Sequence, residues 1–154
     1  MDEPADRDAL AEMLDRAAVV DLTVDYCTAL DSRDWEALRS VFTPDATARL
    51  GRTDHEGVDD IMGRCRSALE SLDASQHMIT NHRVLVDGDR ATSSCYVQAQ
   101  HVRASAVDGP NYLVGGRYDD DLRRTSQGWR IVRRVLTVLW TEGNRAVPHG
   151  DDRS

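Results

Sequence analysis

Apolar residues recur at three- and four-residue steps over the first part of the chain and at two-residue steps over the rest. Between Arg7 and Leu30, positions Leu10, Met13, Leu14, Ala17, Val20, Val24 and Cys27 fall on one stripe of a helix. Val19, Leu22, Tyr26 and Ala29 make a second apolar flank, which predicts a helix more deeply buried than a surface one. Asp31-Ser32-Arg33-Asp34 offers a break and a cap, so Trp35 to Phe42 is predicted as a short second helix. Thr43-Pro44-Asp45 predicts a turn into a short strand from Ala46 to Leu50. Val58, Ile61, Met62, Cys65 and Leu69 predict a third helix across Gly57 to Leu72.

Beyond that point alternation predicts strands at Gln76–Val86, Ala91–Ala106, Tyr112–Arg123 and Trp129–Trp140. Asp87-Gly88-Asp89, Asp108-Gly109-Pro110-Asn111 and Ser126-Gln127-Gly128 join them as turns. Helices first and hairpin-linked strands afterwards is an α+β pattern: a curved antiparallel sheet wrapped around the N-terminal helices. The 154 residues make one domain, with an ordered core over about 8–141 and a polar, mobile tail from Gly143.

Charge narrows the function. A formal net charge of -8 argues against a nucleic-acid surface, which needs clustered cations. No stretch reaches the length of a membrane span, and Met1-Asp2-Glu3-Pro4 is too acidic for a secretion signal. Cys27, Cys65 and Cys95 are odd in number and lie in apolar segments, so they read as reduced thiols of a cytoplasmic protein. No pair has metal-ligand spacing. The Asp119-Asp120-Asp121 run is no metal site either, because alternation turns its middle residue to the opposite face.

The same alternation sends polar groups inward. Val132, Arg134, Leu136, Val138 and Trp140 share one face of the last strand; Cys95, Val97, Ala99 and His101 share one of the long strand. Val114, Gly116, Tyr118, Asp120 and Leu122 share one of the third. A buried Arg134 must be used or paired, with Asp120 or Asp31 as partner. So many inward polar groups predict a pocket. Asp31 closes the first helix and His77 opens the first long strand; a carboxylate and an imidazole drawn to one interior are a base and its orienter. Spacing alone leaves open whether they meet. Tyr26 and Asp31 stand about 140° apart on an ideal helix at roughly 100° per residue, so both address one pocket only if the helix ends or unwinds near Leu30, or if the pocket wraps its tip. His55, His82 and His149 fall in loop, opposite-phase or tail positions and are assigned no chemistry.

Tyr26-Cys27-Thr28-Ala29-Leu30-Asp31, Asp34-Trp35 and Phe42-Thr43-Pro44-Asp45-Ala46 resemble the opening of SnoaL-like proteins of the nuclear transport factor 2-like superfamily. Gly115-Gly116-Arg117-Tyr118-Asp119-Asp120-Asp121-Leu122 with Gly128-Trp129-Arg130-Ile131 is similar to their closing hairpin. The resemblance spans roughly Asp8 to Thr141 and implies a cone-shaped α+β barrel with a pocket between sheet and helices. Its site pattern is nearest to lindane dehydrochlorinase, scytalone dehydratase and bile acid 7α-dehydratase, which share an aspartate and a histidine where Asp31 and His77 stand. The positions of Arg134, Tyr26 and His101 match functional positions in one or another of these enzymes. Ketosteroid isomerases match less well, since their catalytic aspartate would fall near Arg49 or Leu50.

The resemblance implies a cofactor-independent, metal-free lyase of the dehydratase type acting on a mid-sized apolar metabolite such as a polyketide or steroid-like molecule. His77 is then the general base, oriented by Asp31; Arg134 and Tyr26 stabilise developing negative charge, and His101 protonates the leaving group. Tyr118, Val97, Ala99, Val114, Leu136 and Val138 form the pocket wall. An isomerase or polyketide cyclase with the same base, and a non-catalytic binder in which Asp31–His77 is only structural, are the alternatives. A homotrimer or homodimer through the open sheet face is also implied, with Val135, Leu139 and Leu113 outward.

Overall fold

Helices precede strands in the computed structural model, which describes residues 3–149. The elements are α1 (Glu3–Ser32), α2 (Trp35–Ser40), β1 (Phe42–Leu50), β2 (Thr53–Glu56), α3 (Val58–Leu69), β3 (Ala74–Asp87), β4 (Arg90–Val102), β5 (Asn111–Thr125) and β6 (Gly128–Gly143), followed by a 3₁₀ turn at Val147–His149. The strands form one open sheet of order β2-β1-β6-β5-β4-β3, an α+β architecture. Every neighbouring pair is antiparallel except β1 and β6, which run parallel. Among the described residues no helix is long and apolar enough to cross a membrane.

Several boundaries differ from the sequence expectation for identifiable reasons. Phe42 opens β1 instead of closing α2. Thr43-Pro44-Asp45 lies inside that strand, where the register with β6 slips between Phe42 and Thr47, a place that tolerates a proline. Polar Thr53–Glu56 pairs with β1 as an edge strand that alternation did not reveal. The first part of the tail packs on the core, since Val147 is fully buried and Arg103 Nη2 donates to the Ala146 carbonyl. Gly150 to Ser154 and the side chain of His149 lie outside the described residues.

On α1 the buried flank is Val19, Leu22, Thr23, Tyr26, Cys27, Ala29 and Leu30, whereas Leu10, Met13, Leu14 and Val24 are exposed. The helix is therefore embedded over its second half alone. Its midpoint is pinned to the β5–β6 hairpin by Asp15, which accepts two 2.7 Å bonds from Arg124 and one of 3.0 Å from Trp129 Nε1.

Bulges decide which side of the sheet a residue faces. In β3 the register with β4 slips between Thr80 and Arg83, and Asn81 takes a left-handed φ of 58°. Side chains 77 and 79 and side chains 84 and 86 thereby reach the same interior despite opposite parity. In β6 the register with β5 slips twice, so that Arg134, Leu136 and Val138 face inward while Val132 and Trp140 leave the face they were expected to share. Trp140 instead covers Gly115, where a Cβ would lie 2.1 Å from the indole.

Candidate active site

The helix that carries Asp31 ends in a Schellman motif. Asp34 N–H donates to the Ala29 carbonyl (3.0 Å) and Arg33 N–H to that of Leu30 (3.3 Å), with Arg33 at φ 60°. A left-handed arginine is strained. Its guanidinium offsets this by donating to the Leu30 carbonyl (2.6 Å) and to Ser75 Oγ (2.8 Å). Helix α1 thus ends at Ser32, just past Leu30, and Asp31 leaves its last turn toward the start of β3.

There the carboxylate is held from three sides. His77 Nδ1 lies 2.7 Å from Asp31 Oδ1, the His77 backbone N–H donates to Oδ2 (2.8 Å), and Ser75 Oγ donates to Oδ1 (2.9 Å). Burial raises the Asp31 pKa, but the bonds from the His77 ring and backbone and from Ser75 outweigh it and keep the group below the usual carboxylate value. An ionised carboxylate only accepts, so the 2.7 Å contact places the proton on His77 Nδ1 and leaves the Nε2 lone pair free.

His77 borders a cavity of about 190 Å³ between the helices and the concave face of the sheet. Tyr26 and Leu30 of α1, Arg64, Cys65, Ala68 and Leu69 of α3, and Leu50, Tyr112 and Pro148 close it. Val97, Ala99, Val114, Tyr118, Leu136 and Val138 line its sheet side. Asp31 does not line it; it stands behind His77, which removes the helical-angle problem of Tyr26 and Asp31 serving one pocket.

His101 also borders the cavity, its ring 5.9 Å from that of His77 in an edge-on arrangement. Burial, with His77 as the next cause, pushes its pKa from 6.5 down to about 4. It is therefore neutral at pH 7, and the 3.2 Å contact between Nδ1 and the Tyr112 carbonyl puts its single proton on Nδ1. The proton-donor role expected of it does not follow: His101 offers the cavity an acceptor lone pair.

Arg134 is fully buried and does not line the cavity. It makes a bidentate pair with Asp120 (2.7 and 2.6 Å) and lies 4.0 Å from the centre of the Tyr26 ring and 4.2 Å from that of Tyr118. Burial lowers its pKa, but the Asp120 pair dominates and keeps it well above the usual arginine value. Arg134 is thus the ion-pair partner of Asp120 and stands behind the two tyrosines that line the cavity. Burial pushes both phenols above their ordinary range, so their hydroxyls stay protonated donors. It likewise pushes the Cys27 and Cys95 thiols up to about 12 and about 11, which removes them as nucleophiles.

The remaining polar residues sit elsewhere. His82 contacts Thr23 Oγ1 at 3.1 Å, and His55 lies near Asp60. Asp119 and Asp121 pair with Arg117 and Arg133. Among the described residues no group of three or more His, Cys, Asp or Glu is arranged to hold a metal ion. Ser75, Arg64, Tyr112 and Pro148 were not singled out from the sequence. Ser75 alone had a signal, being two positions before His77 and on the same strand face.

Residues 11–135 match the family described as SnoaL-like domain. An uncharacterized protein of Mycobacterium tuberculosis is 38% identical over 137 residues, 84% of this chain and 88% of its own. A Novosphingobium aromaticivorans structure described as a candidate aromatic ring hydroxylase is 32% identical, with a TM-score of 0.77 over 86% of this chain and 94% of that one. At the level of fold alone, a candidate scytalone dehydratase from the same organism gives 0.79 at 21% identity, covering 95% and 97%. A hexachlorocyclohexane dehydrochlorinase gives 0.75 at 22%, covering 90% and 93%.

Proposed function

The chain belongs to the SnoaL-like domain family of the nuclear transport factor 2-like superfamily, and from that premise we propose that its cavity performs a cofactor-independent β-elimination of the dehydratase type. The observation that carries this reading is the 2.7 Å His77–Asp31 bond at the wall of an otherwise largely apolar cavity. His77 Nε2 takes a proton from a carbon next to a carbonyl, and the C–H electron pair becomes a C=C bond as the β-hydroxyl departs. The proton held on the imidazolium passes to the departing hydroxyl, so water leaves and the dyad is restored. Asp31 stabilises the transient imidazolium, and the Tyr26 hydroxyl donates to the enolate oxygen. Arg134 acts behind Tyr26 as a positioning residue. The cavity of about 190 Å³ lies below the roughly 300–1,000 Å³ of common ligand pockets. It suits a one- or two-ring polyketide-like molecule and not a four-ring steroid.

The test uses a panel of small aromatic β-hydroxy ketones with mass detection of product. The expected product is lighter by one water, and H77Q and D31N each lower the rate by about 10²- to 10⁴-fold. A product of unchanged mass would point to isomerisation or cyclisation, and undiminished turnover by H77Q would remove the base. The proposal extends to a cytoplasmic setting, where three unpaired buried thiols persist, and to self-association as a homodimer or homotrimer through the outer face of the sheet.

A further inference from the structure

Among the described residues Arg64 is the one formally charged side chain bordering the cavity, and no described carboxylate lines it, because Asp31 stands behind His77 and Asp120 behind the tyrosines. It enters from α3, on the wall opposite the strands that carry His77 and His101. Neighbouring cations have partners: Arg39 pairs with Asp59 at 2.7 Å, and Arg66 lies over the Trp35 ring. Among the described residues Arg64 has no ion-pair or hydrogen-bond partner. The nearest candidate by sequence, Asp60 one turn earlier, is engaged by the Glu56 N–H and His55. Burial pushes up the thiol of Cys65, the next cavity residue; a hydrogen bond with Tyr26 and, after it, the Arg64 charge partly offset this.

Arg64 is half-buried at an apolar wall, in a chain of net charge -8, and hydration that its guanidinium loses there is not compensated by any described residue. Its fork of donors matches a planar carboxylate in two parallel hydrogen bonds. We propose that Arg64 is the specificity residue of the cavity and that the ligand is a ring compound bearing a carboxylate. The carboxylate is bound by Arg64, with the ring against Val97, Ala99, Val114 and Leu136. This rests on the reading of the cavity as the substrate site and adds the substrate class: an aromatic or polyketide-derived acid. Anchoring the acid on the helix wall leaves the far end of the ring facing His77.

Calorimetric titration of the full chain with 2-naphthoate and with neutral, similarly shaped 2-naphthamide tests it. The wild type is expected to prefer the naphthoate by about tenfold, the discrimination of one charge-assisted pair. R64Q abolishes the preference, and R64K, which keeps the charge without the fork, retains part of it. Circular dichroism checks that the variants fold. Equal affinities for the two probes, a preference that survives R64Q, or absence of naphthoate binding at millimolar concentration each overturns the assignment. H77Q separates this from the elimination reading, because it abolishes turnover while leaving the naphthoate preference intact.

Discussion

At the residue scale the two cavity histidines differ in what fills their second nitrogen. His77 Nδ1 meets an ionised carboxylate and His101 Nδ1 a neutral carbonyl, so only the first ring has an opposite charge beside it. The consequence for His101 is measurable. Its pKa in the folded chain, about 4 against an ordinary 6.5, means that the unfolded chain binds more protons between those values. The stability it contributes is complete above about 6.5 and is lost as pH falls through about 4. Asp31, held below its usual value, acts in the same direction at the acid end. At ~1.4 kcal/mol per unit, a shift from 6.5 to about 4 bounds the His101 contribution at about 3.5 kcal/mol. Urea midpoints are expected to be flat above pH 6.5 and to fall toward pH 4, more shallowly in H101Q. An identical pH profile in H101Q would show that this histidine is not buried as a neutral base. Which nitrogen each ring leaves free depends on partners 46 and 11 positions away, so no local pattern announces it.

At the element scale, α1 shows how far periodicity reaches. Its 30 residues extend about 45 Å at 1.5 Å per residue, but its buried residues all lie from Val19 onward, and Asp15 ties the helix to the β5–β6 hairpin just before them. Leu10, Met13 and Leu14, at 56%, 67% and 62% exposure, have helical spacing but are not covered among the described residues. Replacing all three by Gln is expected to shift folding stability by within about 0.5 kcal/mol per site, whereas Leu22→Ala, at 8% exposure, costs about 2–5 kcal/mol. Chemical denaturation distinguishes them, and a large loss in the triple variant would mean that the N-terminal half is packed in solution. The strands carry the converse lesson. The inward faces of β4 and β5 follow unbroken alternation, while β3 and β6 change parity at bulges. A bulge inserts one residue for reasons that lie in the partner strand, so alternation read along one strand passes over it.

At the scale of the whole molecule, the sheet has a concave face closed over the cavity and an outer face left apolar. Met78, Tyr96, Leu139 and Trp140 are 53%, 51%, 58% and 43% exposed and lie together on the outer face, while Val135 and Leu113 are half-buried. Sedimentation velocity is expected to find a dimer or trimer, and M78E with L139E to give a folded monomer; a wild-type monomer at micromolar concentration would end that proposal. The order of helices and strands, the α+β class, the two inward faces of β4 and β5, and the chemical identity of Asp31 and His77 were legible in the sequence, because each rests on local periodicity or on residue type. The closure of the pocket by Arg64, Tyr112 and Pro148, the withdrawal of Arg134 behind two tyrosines, the low pKa of His101 and the burial of Val147 were settled by tertiary structure alone. Each depends on which distant groups share a low-dielectric interior, and a linear pattern carries no record of that neighbourhood.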